Sequence, residues 1–336
     1  MGVNLKDLIR SKDLKMSQLA NKKLGIDGYN WAYQFISIIR LPDGSPLTDS
    51  KGRVTSHLTG IFNRTMSLLR EGIKPCYVWD GEPPKMKQKE LKSRARRKEA
   101  AKKALKKAKT KKSKMKWAQQ TAKLTKEMVA DAEKLLDAMG VPSIQAPSEG
   151  EAEIAYLTRQ GVLDSCASQD WDSLLFGAPQ LIRNLSIGRK KKVPGKSIYV
   201  KVKPQVINLK ENLKKLGITR EQLVIMGMLI GTDYSSGVRG YGPKKSYKVV
   251  KEQKELDKVL EVTGWEDDTD PQKVMDIFMK PKVEKVIPQW KPLDPEKVMK
   301  VLVDDFEFKA DRIESQLKKY EESKGQRGQT GLGKFF

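Results

Sequence analysis

Acidic residues stand at the ends of three apolar segments, each with the composition of a buried strand. The segment KKLGIDG ends on Asp27, KPCYVWDG ends on Asp80, and DSCASQDWDSLLFG presents Asp170 and Asp172. Because side chains two residues apart in a strand face the same way, we expect Asp170 and Asp172 to project together. One Asp after a strand is usually a turn former, whereas four such residues favour a shared cation site.

Further carboxylates gather at one predicted helix start and after one apolar helix. The segment APSEGEAEIAYLTRQG carries Glu149, Glu151 and Glu153, and Ser148 followed by Glu151 predicts a capping box. Capping does not explain three glutamates at one terminus, where their repulsion would be relieved by a bound cation. The apolar run LVIMGMLIG ends at a glycine, and Asp233 follows it just before a Gly-rich loop.

The chemistry that these residues suggest is hydrolysis assisted by hard metal ions. Ligand sets made only of oxygen select Mg²⁺ or Mn²⁺, and two such ions beside a phosphate catalyse phosphodiester cleavage. His57 is the single histidine, and Cys76 and Cys166 are far apart, so a zinc site and histidine acid/base catalysis are disfavoured. The sequence contains no GxxxxGK[ST] motif, which argues against a P-loop ATPase.

The elements that must position these carboxylates alternate between strand and helix. Helical periodicity appears in SHLTGIFNRTMSLLREG and in LTKEMVADAEKLLDAMGV, which lie between the strand segments. This alternation predicts an α/β fold with a mainly parallel, mixed sheet and helices on both faces. Ligand sites in such sheets lie beyond the carboxyl ends of the strands, so the scattered carboxylates should meet at one edge.

The charge of the chain is concentrated in one segment. The formal net charge is +24, and residues 85–116 hold 17 Lys and Arg against two glutamates. Such a segment would neutralise several phosphates, so nucleic acid is the favoured partner, although a solvated basic arm without enzymology has the same composition. Its composition is helix-forming but too polar to pack a full face, so we expect an exposed helical insertion directly after Asp80.

Several cellular contexts are disfavoured by composition. A charged N-terminus and the absence of a long apolar run argue against a secretory signal and a membrane span. Two distant cysteines argue against a disulfide framework. We therefore expect an intracellular monomer that does not bind membranes, cytoplasmic if the organism is archaeal and nuclear if it is eukaryotic.

At this point the motifs together resemble those of the archaeal and eukaryotic flap endonucleases, within the structure-specific 5′ nuclease family. The matching segments run the whole chain in family order: MGVNLKDLI, IDGYNWAYQF, KPCYVWDGEPPKMKQKELKSR, APSEGEAE, SQDWDSLLFG, IGTDYSSGVRGYGPKK and QTGLGKFF. The resemblance implies a PIN-like nuclease core, a helical arch and a helix-hairpin-helix-like element. It also implies a role in DNA replication, including Okazaki fragment maturation, and in repair.

The resemblance assigns roles to individual residues. It implies two Mg²⁺ ions, which Mn²⁺ can replace, held by seven carboxylates: Asp27, Asp80, Glu149, Glu151, Asp170, Asp172 and Asp233. Lys87 and Arg94 match the basic residues at the base of the family's gateway helix, or else belong to a solvated basic helix. Tyr33 matches the aromatic residue on which an unpaired base stacks, a contact of about 1–3 kcal/mol, or else lies in the core.

Two further segments match parts of the family that bind partners. The loop 237–242 and the lysines after it resemble the element that grips duplex DNA, with a K⁺ ion in the loop. The residues concerned are Gly240, Gly242, Lys244, Lys245 and Lys248. The tail resembles the peptide that docks on the sliding clamp, PCNA, through Gln329, Leu332, Phe335 and Phe336, in a segment whose composition predicts disorder.

The predicted organisation has five parts. Residues 1–84 and 126–216 form the nuclease core, 85–125 the arch and gateway, 217–322 a helical DNA-binding region, and 323–336 a disordered tail. The predicted function is a Mg²⁺-dependent endonuclease that removes 5′ flaps from branched DNA, with additional 5′–3′ exonuclease activity. The alternatives are a related exonuclease or bubble nuclease, and a clamp-tethered DNA-binding protein with only structural metal.

Overall fold

The computed structural model describes the backbone of residues 2–185, 190–192 and 199–332, and the side chains of 2–185 and 202–327. Strands are numbered in chain order: β1 (Lys12–Asp13), β2 (Lys23–Asp27), β3 (Lys74–Trp79), β4 (Ser143–Gln145), β5 (Ser165–Ala167), β6 (Gln180–Arg183), β7 (Lys190–Lys192), β8 (Tyr199–Lys201) and β9 (Gln205–Asn208). Seven of them form one sheet in the order β1-β9-β6-β5-β2-β3-β4, and β7 pairs with β8 separately.

The sheet has a parallel centre and antiparallel additions at one side. Strands β6, β5, β2, β3 and β4 run parallel, with Ile26 opposite Ala167 and Asp27 opposite Val78. Strand β9 is antiparallel to β6, and the short β1 is antiparallel to β9. The mainly parallel, mixed sheet expected from the alternating pattern is therefore confirmed.

Fourteen α-helices are assigned within the described residues. They are α1 (Gly28–Ile38), α2 (Ser56–Arg70), α3 (Gln88–Lys107), α4 (Lys111–Gln120), α5 (Lys126–Ala138), α6 (Gly150–Arg159), α7 (Asp172–Leu175), α8 (Leu209–Leu216), α9 (Arg220–Ile230), α10 (Pro243–Gln253), α11 (Leu256–Thr263), α12 (Pro271–Met279), α13 (Pro295–Met299) and α14 (Ala310–Leu332). A 3-10 turn, Lys85–Lys87, precedes α3, and a π-helical turn, Lys300–Asp305, follows α13. No helix in the described part of the chain is long and apolar enough to cross a membrane.

The two faces of the sheet carry separate cores because strand side chains alternate. In β3, Cys76 and Val78 pack with α6, α7, α9 and α12, whereas Tyr77 and Trp79 pack with α1, α2, α5 and α14. Close packing on the first face requires a glycine in β2, because a Cβ on Gly25 would lie 2.4 Å from Ile154 Cγ2. Helices on both faces leave the carboxyl edge of the strands open for a site.

The basic insertion forms two helices that stand on this edge. Helix α3 is exposed along almost its whole length, with Ala101 as its only buried residue. Helix α4 returns toward α1, where Ala118 is buried beside Gly44, a residue at φ +93°. Exposed, helix-forming composition therefore produces the helical insertion that the sequence predicts, anchored at both ends.

The C-terminal tail differs from its predicted disorder. Helix α14 continues through Leu332, so residues 323–332 are helical. The start of the helix packs on the core through Ile313 and Leu317, which are buried, and Arg70 Nη1 donates to Gln316 Oε1 at 2.7 Å. Composition alone underestimated the helix because tertiary contacts at its start offset the weak propensity that follows.

Candidate metal and nuclease site

The first two carboxylates are placed by neighbouring parallel strands. Asp27 is the last residue of β2 and the N-cap of α1, and its Oδ1 accepts the Asn30 backbone N–H at 2.9 Å. Asp80 directly follows β3, and its Oδ1 accepts the Gly150 N–H at 2.8 Å. A Cβ on Gly150 would lie 2.9 Å from that oxygen, so a side chain there would crowd the contact. The end of β3 is thereby joined to the start of α6.

The glutamates at the start of α6 diverge. The predicted Ser148 cap is wrong: Glu149 occupies the N-cap position without a side-chain cap bond, and Ser148 Oγ donates to Glu82 O at 3.0 Å. The turn that contains Glu82 lies against this segment, and its carbonyl accepts the hydrogen bond of the Ser148 hydroxyl. Glu151 Oε1 accepts hydrogen bonds from two serine hydroxyls. Glu153 points elsewhere, because its Oε2 accepts the Glu284 N–H at 3.0 Å.

Asp170 and Asp172 reach the site from a loop and a helix start, and not from the strand that the sequence predicts. Strand β5 ends at Ala167, Asp170 lies in the following loop, and Asp172 opens α7. The strand ends because Ser168 Oγ accepts the Asp170 N–H at 3.1 Å, a local turn that replaces the ladder bond. Asp172 Oδ1 accepts the Val3 N–H at 2.7 Å. The two carboxylates approach each other through a turn and not through strand periodicity.

Asp233 brings the base of the basic insertion into the cluster. It follows α9 after Gly231, which adopts φ +106°, as expected for a helix that breaks at glycine. Arg94 Nη2 lies 2.7 and 2.8 Å from the two oxygens of Asp233. Lys87 Nζ lies 2.6 Å from Glu149 Oε2 and 3.4 Å from Asp233 Oδ2. Lys87 is only 9% exposed, so it is not a member of a solvated helix.

The electrostatics of the cluster show that the seven carboxylates share one environment. Burial, and then Asp80, raises the pKa of Asp27 well above its usual range. Burial and the neighbouring Asp170 raise the pKa of Glu151 well above its usual range, and the same two causes raise the pKa of Asp172 to about 7. The pKa values of Asp80, Glu149 and Asp170 are also raised, first by burial.

Asp233 is the exception among the seven. Burial acts to raise its pKa, but the positive charges of Arg94 and Lys87 outweigh burial and leave the pKa lowered. Two cations next to Asp233 and Glu149 therefore offset part of the negative charge. The remaining carboxylates repel one another, and a bound cation would reduce this repulsion.

This donor set fits hydrated divalent ions. Within the described ranges, no three Asp, Glu, His or Cys side chains form a ready-made cage for one metal. Mg²⁺ keeps several of its waters and binds through one or two carboxylates, so a wider ring of acidic oxygens suits it. Cys76 and Cys166 are buried thiols with raised pKa values, and His57 is buried in α2, so none of them joins the ring.

Tyr33 lies in the helix that Asp27 caps. Its side chain is 40% exposed, so the alternative that it belongs to the core is wrong. The residue that packs inward is Tyr29, whose ring meets Trp79 edge-on at 5.6 Å between centroids. The Tyr33 ring is thus accessible on α1, and its contact with a base stays a prediction.

The predicted duplex-binding element is a helix, a glycine loop and a second helix. Gly237 has φ +74°, and a Cβ there would lie 2.8 Å from Leu229 O, so glycine is required. A Cβ on Gly240 or Gly242 would meet nothing within 4 Å, which leaves the loop backbone open. The three lysines that follow are exposed. They are Lys244, Lys245 and Lys248.

The predicted clamp-binding peptide is only partly within the described residues. Gln329 and Leu332 lie in the last turns of α14, where the backbone alone is described. Phe335 and Phe336 lie outside the described residues. The arrangement of the peptide therefore stays a prediction.

Sequence patterns missed the residues that hold the carboxylates in place. Ser168 Oγ and Ser173 Oγ donate to Glu151 Oε1 at 2.6 and 2.9 Å. Asn30 Nδ2 donates to Asp170 Oδ2 at 2.8 Å. The only signal for Asn30 was its position three residues after a strand-end aspartate, where the first helical turn returns over the cap.

The fold and the acidic cluster together define a structure-specific nuclease of the XPG class. Models of two parts of that class match the chain: the XPG N-terminal domain over residues 1–101 and the XPG I-region over residues 140–233. Flap endonuclease 1 of Staphylothermus marinus is 48% identical over 94% of this chain and 93% of its own length. The chain belongs to the flap endonuclease family.

Solved structures agree with this assignment. Flap endonuclease-1 from Methanococcus jannaschii superimposes with a TM-score of 0.74 and 36% identity, covering 97% of this chain and 100% of that chain. The catalytic core of Rad2, solved in complex with a DNA substrate, has a TM-score of 0.71 at 23% identity, covering 92% and 96%, and shares the fold. The protein is a 5′ flap endonuclease of DNA replication and repair, and nucleases of this family depend on divalent metal ions.

Proposed function

We propose that the chain hydrolyses one phosphodiester near the junction between a 5′ flap and duplex DNA, leaving a 5′ phosphate and a 3′ hydroxyl. The observation that carries the proposal is the partly buried cluster of seven carboxylates, with the buried Lys87 beside two of them. Like charges this close are stable only when protonated or when cations lie among them. A nuclease that uses metal ions needs such a cluster beside a phosphate-binding surface.

Two Mg²⁺ ions are the proposed cofactors, and Mn²⁺ would substitute for them. The residues that would hold them, directly or through water, are Asp27, Asp80, Glu149, Glu151, Asp170, Asp172 and Asp233. When bound, these ions activate water and neutralise charge on the phosphate. The protein orients the carboxylates through hydrogen bonds from backbone N–H groups, serine hydroxyls and Asn30.

Lys87 and Arg94 are the proposed electrostatic partners of the scissile phosphate. Both side chains end beside Glu149 or Asp233, two of the residues that would hold the metal ions. Fixed positive charge in a partly buried site stabilises the negative charge that develops as the bond breaks. Their position at the base of the insertion couples catalysis to the path of the flap.

Substrate choice would come from three surfaces around the cluster. The exposed basic helices α3 and α4 would receive the single strand, and Tyr33 would stack on an unpaired base. Residues 237–248 would grip the duplex through the open loop backbone at Gly240 and Gly242 and through lysine ammonium groups, with K⁺ held by the loop carbonyls. A free 5′ end would also be accepted, which accounts for the proposed 5′–3′ exonuclease activity.

The tail is the proposed attachment to a sliding clamp, PCNA, and the enzyme would act as an intracellular monomer. Gln329, Leu332, Phe335 and Phe336 provide one polar and three apolar anchors for a clamp groove. Deleting residues 329–336 should leave cleavage without clamp unchanged and abolish stimulation by the clamp. Equal stimulation of the truncated enzyme would contradict this attachment.

The central test is the substitution Asp170→Ala. We expect cleavage of a labelled flap to fall by orders of magnitude while binding of the same flap in EDTA is retained. Asp137→Ala is the matched control, because the Asp137 side chain is 63% exposed and forms an ion pair with Lys291 at 3.2 Å, away from the cluster. Loss of flap binding with cleavage unaffected would reject the assignment of Asp170 to the catalytic cluster. Absence of cleavage by the wild-type protein in Mg²⁺, with flap binding intact, would favour a DNA-binding protein with only structural metal.

A panel of flap, nicked, gapped and bubble substrates, each with and without Mg²⁺, tests the reaction itself. We expect the flap to be cut fastest and no substrate to be cut in EDTA. Preference for the bubble, or stepwise removal of single nucleotides from the nick, would favour the related bubble nuclease or exonuclease.

A further inference from the structure

Asn30 contacts two carboxylates that come from neighbouring strands. Its backbone N–H donates to Asp27 Oδ1 at 2.9 Å, and its side-chain Nδ2 donates to Asp170 Oδ2 at 2.8 Å. Asp27 ends β2, and Asp170 follows β5, which pairs with β2 in parallel. One residue in the first turn of α1 therefore ties together two carboxylates that are distant in the chain.

The carboxylate of Asp170 is oriented by this bond more than by any other described contact. Its neighbours in the chain are held separately: Arg183 Nη2 donates to Gln169 O at 2.8 Å, and the Arg183 guanidinium lies 4.0 Å above the Trp171 ring centroid. These contacts fix the backbone on both sides of Asp170. They leave rotation of its side chain to be set by Asn30.

An amide is suited to this position because it is a neutral donor. A Lys or Arg at the same place would offset part of the negative charge that attracts a divalent cation, as Lys87 and Arg94 do for Glu149 and Asp233. An amide donates one hydrogen bond and leaves the full charge on the carboxylate. Within the described part of the chain, Oδ1 of Asp170 accepts no hydrogen bond, so one oxygen stays available to a metal ion.

We propose that Asn30 is a positioning residue for metal binding: its side-chain amide turns Asp170 so that one oxygen faces the cluster while the other is held. This inference rests on the proposed metal site. Hydrogen bonds to metal-binding side chains typically contribute about 10- to 100-fold in metal affinity. The role of Asn30 is therefore measurable by metal binding without DNA and without catalysis.

The test is Asn30→Leu, which keeps the shape of the side chain and removes its donor. The bond to Asp27 is made by the backbone and is retained, so the variant isolates the bond to Asp170. Calorimetric titration with Mn²⁺ in the absence of DNA should show at least about ten-fold weaker binding. Flap binding in EDTA should match the wild type, because the basic surfaces are unchanged.

Asn63→Leu is the matched control. Asn63 is an exposed residue of α2 whose Nδ2 donates to Thr59 O of the same helix at 2.8 Å. It should bind Mn²⁺ as the wild type does. Asn30→Ala is a second donor-free variant for the case that leucine disturbs folding, and Asn30→Gln, which keeps an amide on a longer arm, should bind more tightly than either.

The possible results distinguish failure of the positioning role of Asn30 from failure of the proposed metal site. If Asp170→Ala loses Mn²⁺ binding while folded Asn30→Leu or Asn30→Ala binds like the wild type, the positioning role of Asn30 is overturned and the metal site stands. If Asp170→Ala itself binds Mn²⁺ like the wild type, the metal site fails and the inference fails with it. If Asn63→Leu weakened Mn²⁺ binding as much as Asn30→Leu does, the effect would be a general one of substitutions in the helices. That result would also overturn the positioning role of Asn30.

Discussion

Replacing Lys87 by methionine should destabilise the metal-free protein more than the metal-loaded protein. The ammonium group is buried, 2.6 Å from Glu149 and 3.4 Å from Asp233, and methionine keeps the length of the side chain without its charge. Breaking a buried ion pair by removing one partner costs about 3–5 kcal/mol. Burial already raises the pKa of Glu149, so a proton can replace part of the missing charge and the cost should be about 3 kcal/mol.

Divalent ions should reduce this cost because they supply positive charge to the same carboxylates. Thermal melting should therefore show a decrease of about 6 °C for Lys87→Met in EDTA and clearly less in Mg²⁺, at roughly 2 °C for each kcal/mol in a chain of this size. Single-turnover flap cleavage in Mg²⁺ should fall about 100- to 1000-fold, as for other fixed donors to a transition state.

Lys89→Met is the control for this experiment. Lys89 lies two residues away, its side chain is 66% exposed, and it pairs with Asp268 at 2.8 Å. Solvent screens this exposed pair, so removing it should have a small effect that is the same in both conditions. The reasoning would be refuted if Lys87→Met were destabilised equally with and without Mg²⁺, or if Lys89→Met matched it.

Three further predictions follow from titration and charge. Burial and Asp170 raise the pKa of Asp172 to about 7, so metal affinity should fall as pH drops below about 7, because metal binding must then release the Asp172 proton. Calorimetry in two buffers should count more released protons for each metal ion bound at pH 6 than at pH 8. Burial lowers the pKa of His57 to about 4, so between pH 6.5 and 4 this imidazole binds a proton only in the unfolded chain, and the free energy of unfolding decreases as pH falls through that interval. Denaturant titrations should show that the His57→Leu variant avoids about 3 kcal/mol of this decrease, and parallel curves for variant and wild type would contradict the prediction. Replacing Lys244, Lys245 and Lys248 by alanine should lower the slope of log affinity for duplex DNA against log salt by about 1 for each phosphate that is no longer neutralised, and an unchanged slope would place the duplex elsewhere.

Much of the fold and of the acidic cluster was predictable because it depends on local features of the chain. Apolar runs that end on Asp27 and Asp80, separated by helical periodicity, predict parallel strands whose carboxyl ends share an edge. Their convergence with Asp233 follows from that topology, since a glycine ends α9 at the same edge. The resemblance to flap endonucleases rested on motifs of the same kind, and the similarity to known flap endonucleases confirms it.

Turns and helix limits were predicted less well because they depend on competing partners. Ser148 was expected to cap α6, but its hydroxyl bonds Glu82 O in the adjoining turn. Asp170 and Asp172 were expected on a strand, but Ser168 ends β5 with a turn. Helix α14 continues into the tail that was predicted to be disordered, because its first turns are buried. In each case a contact distant in sequence, or a side-chain bond to the backbone, outweighed the local pattern.

The sequence by itself determined which chemical groups are present and on which edge of the sheet they gather, because strand order and side-chain period are encoded locally. Only the tertiary structure decided their state. It buries Lys87 between Glu149 and Asp233, joins Asn30 to Asp170, and raises the pKa values of all the carboxylates of the cluster except Asp233. Such properties depend on distance and on exclusion of water, which exist only after the chain has folded.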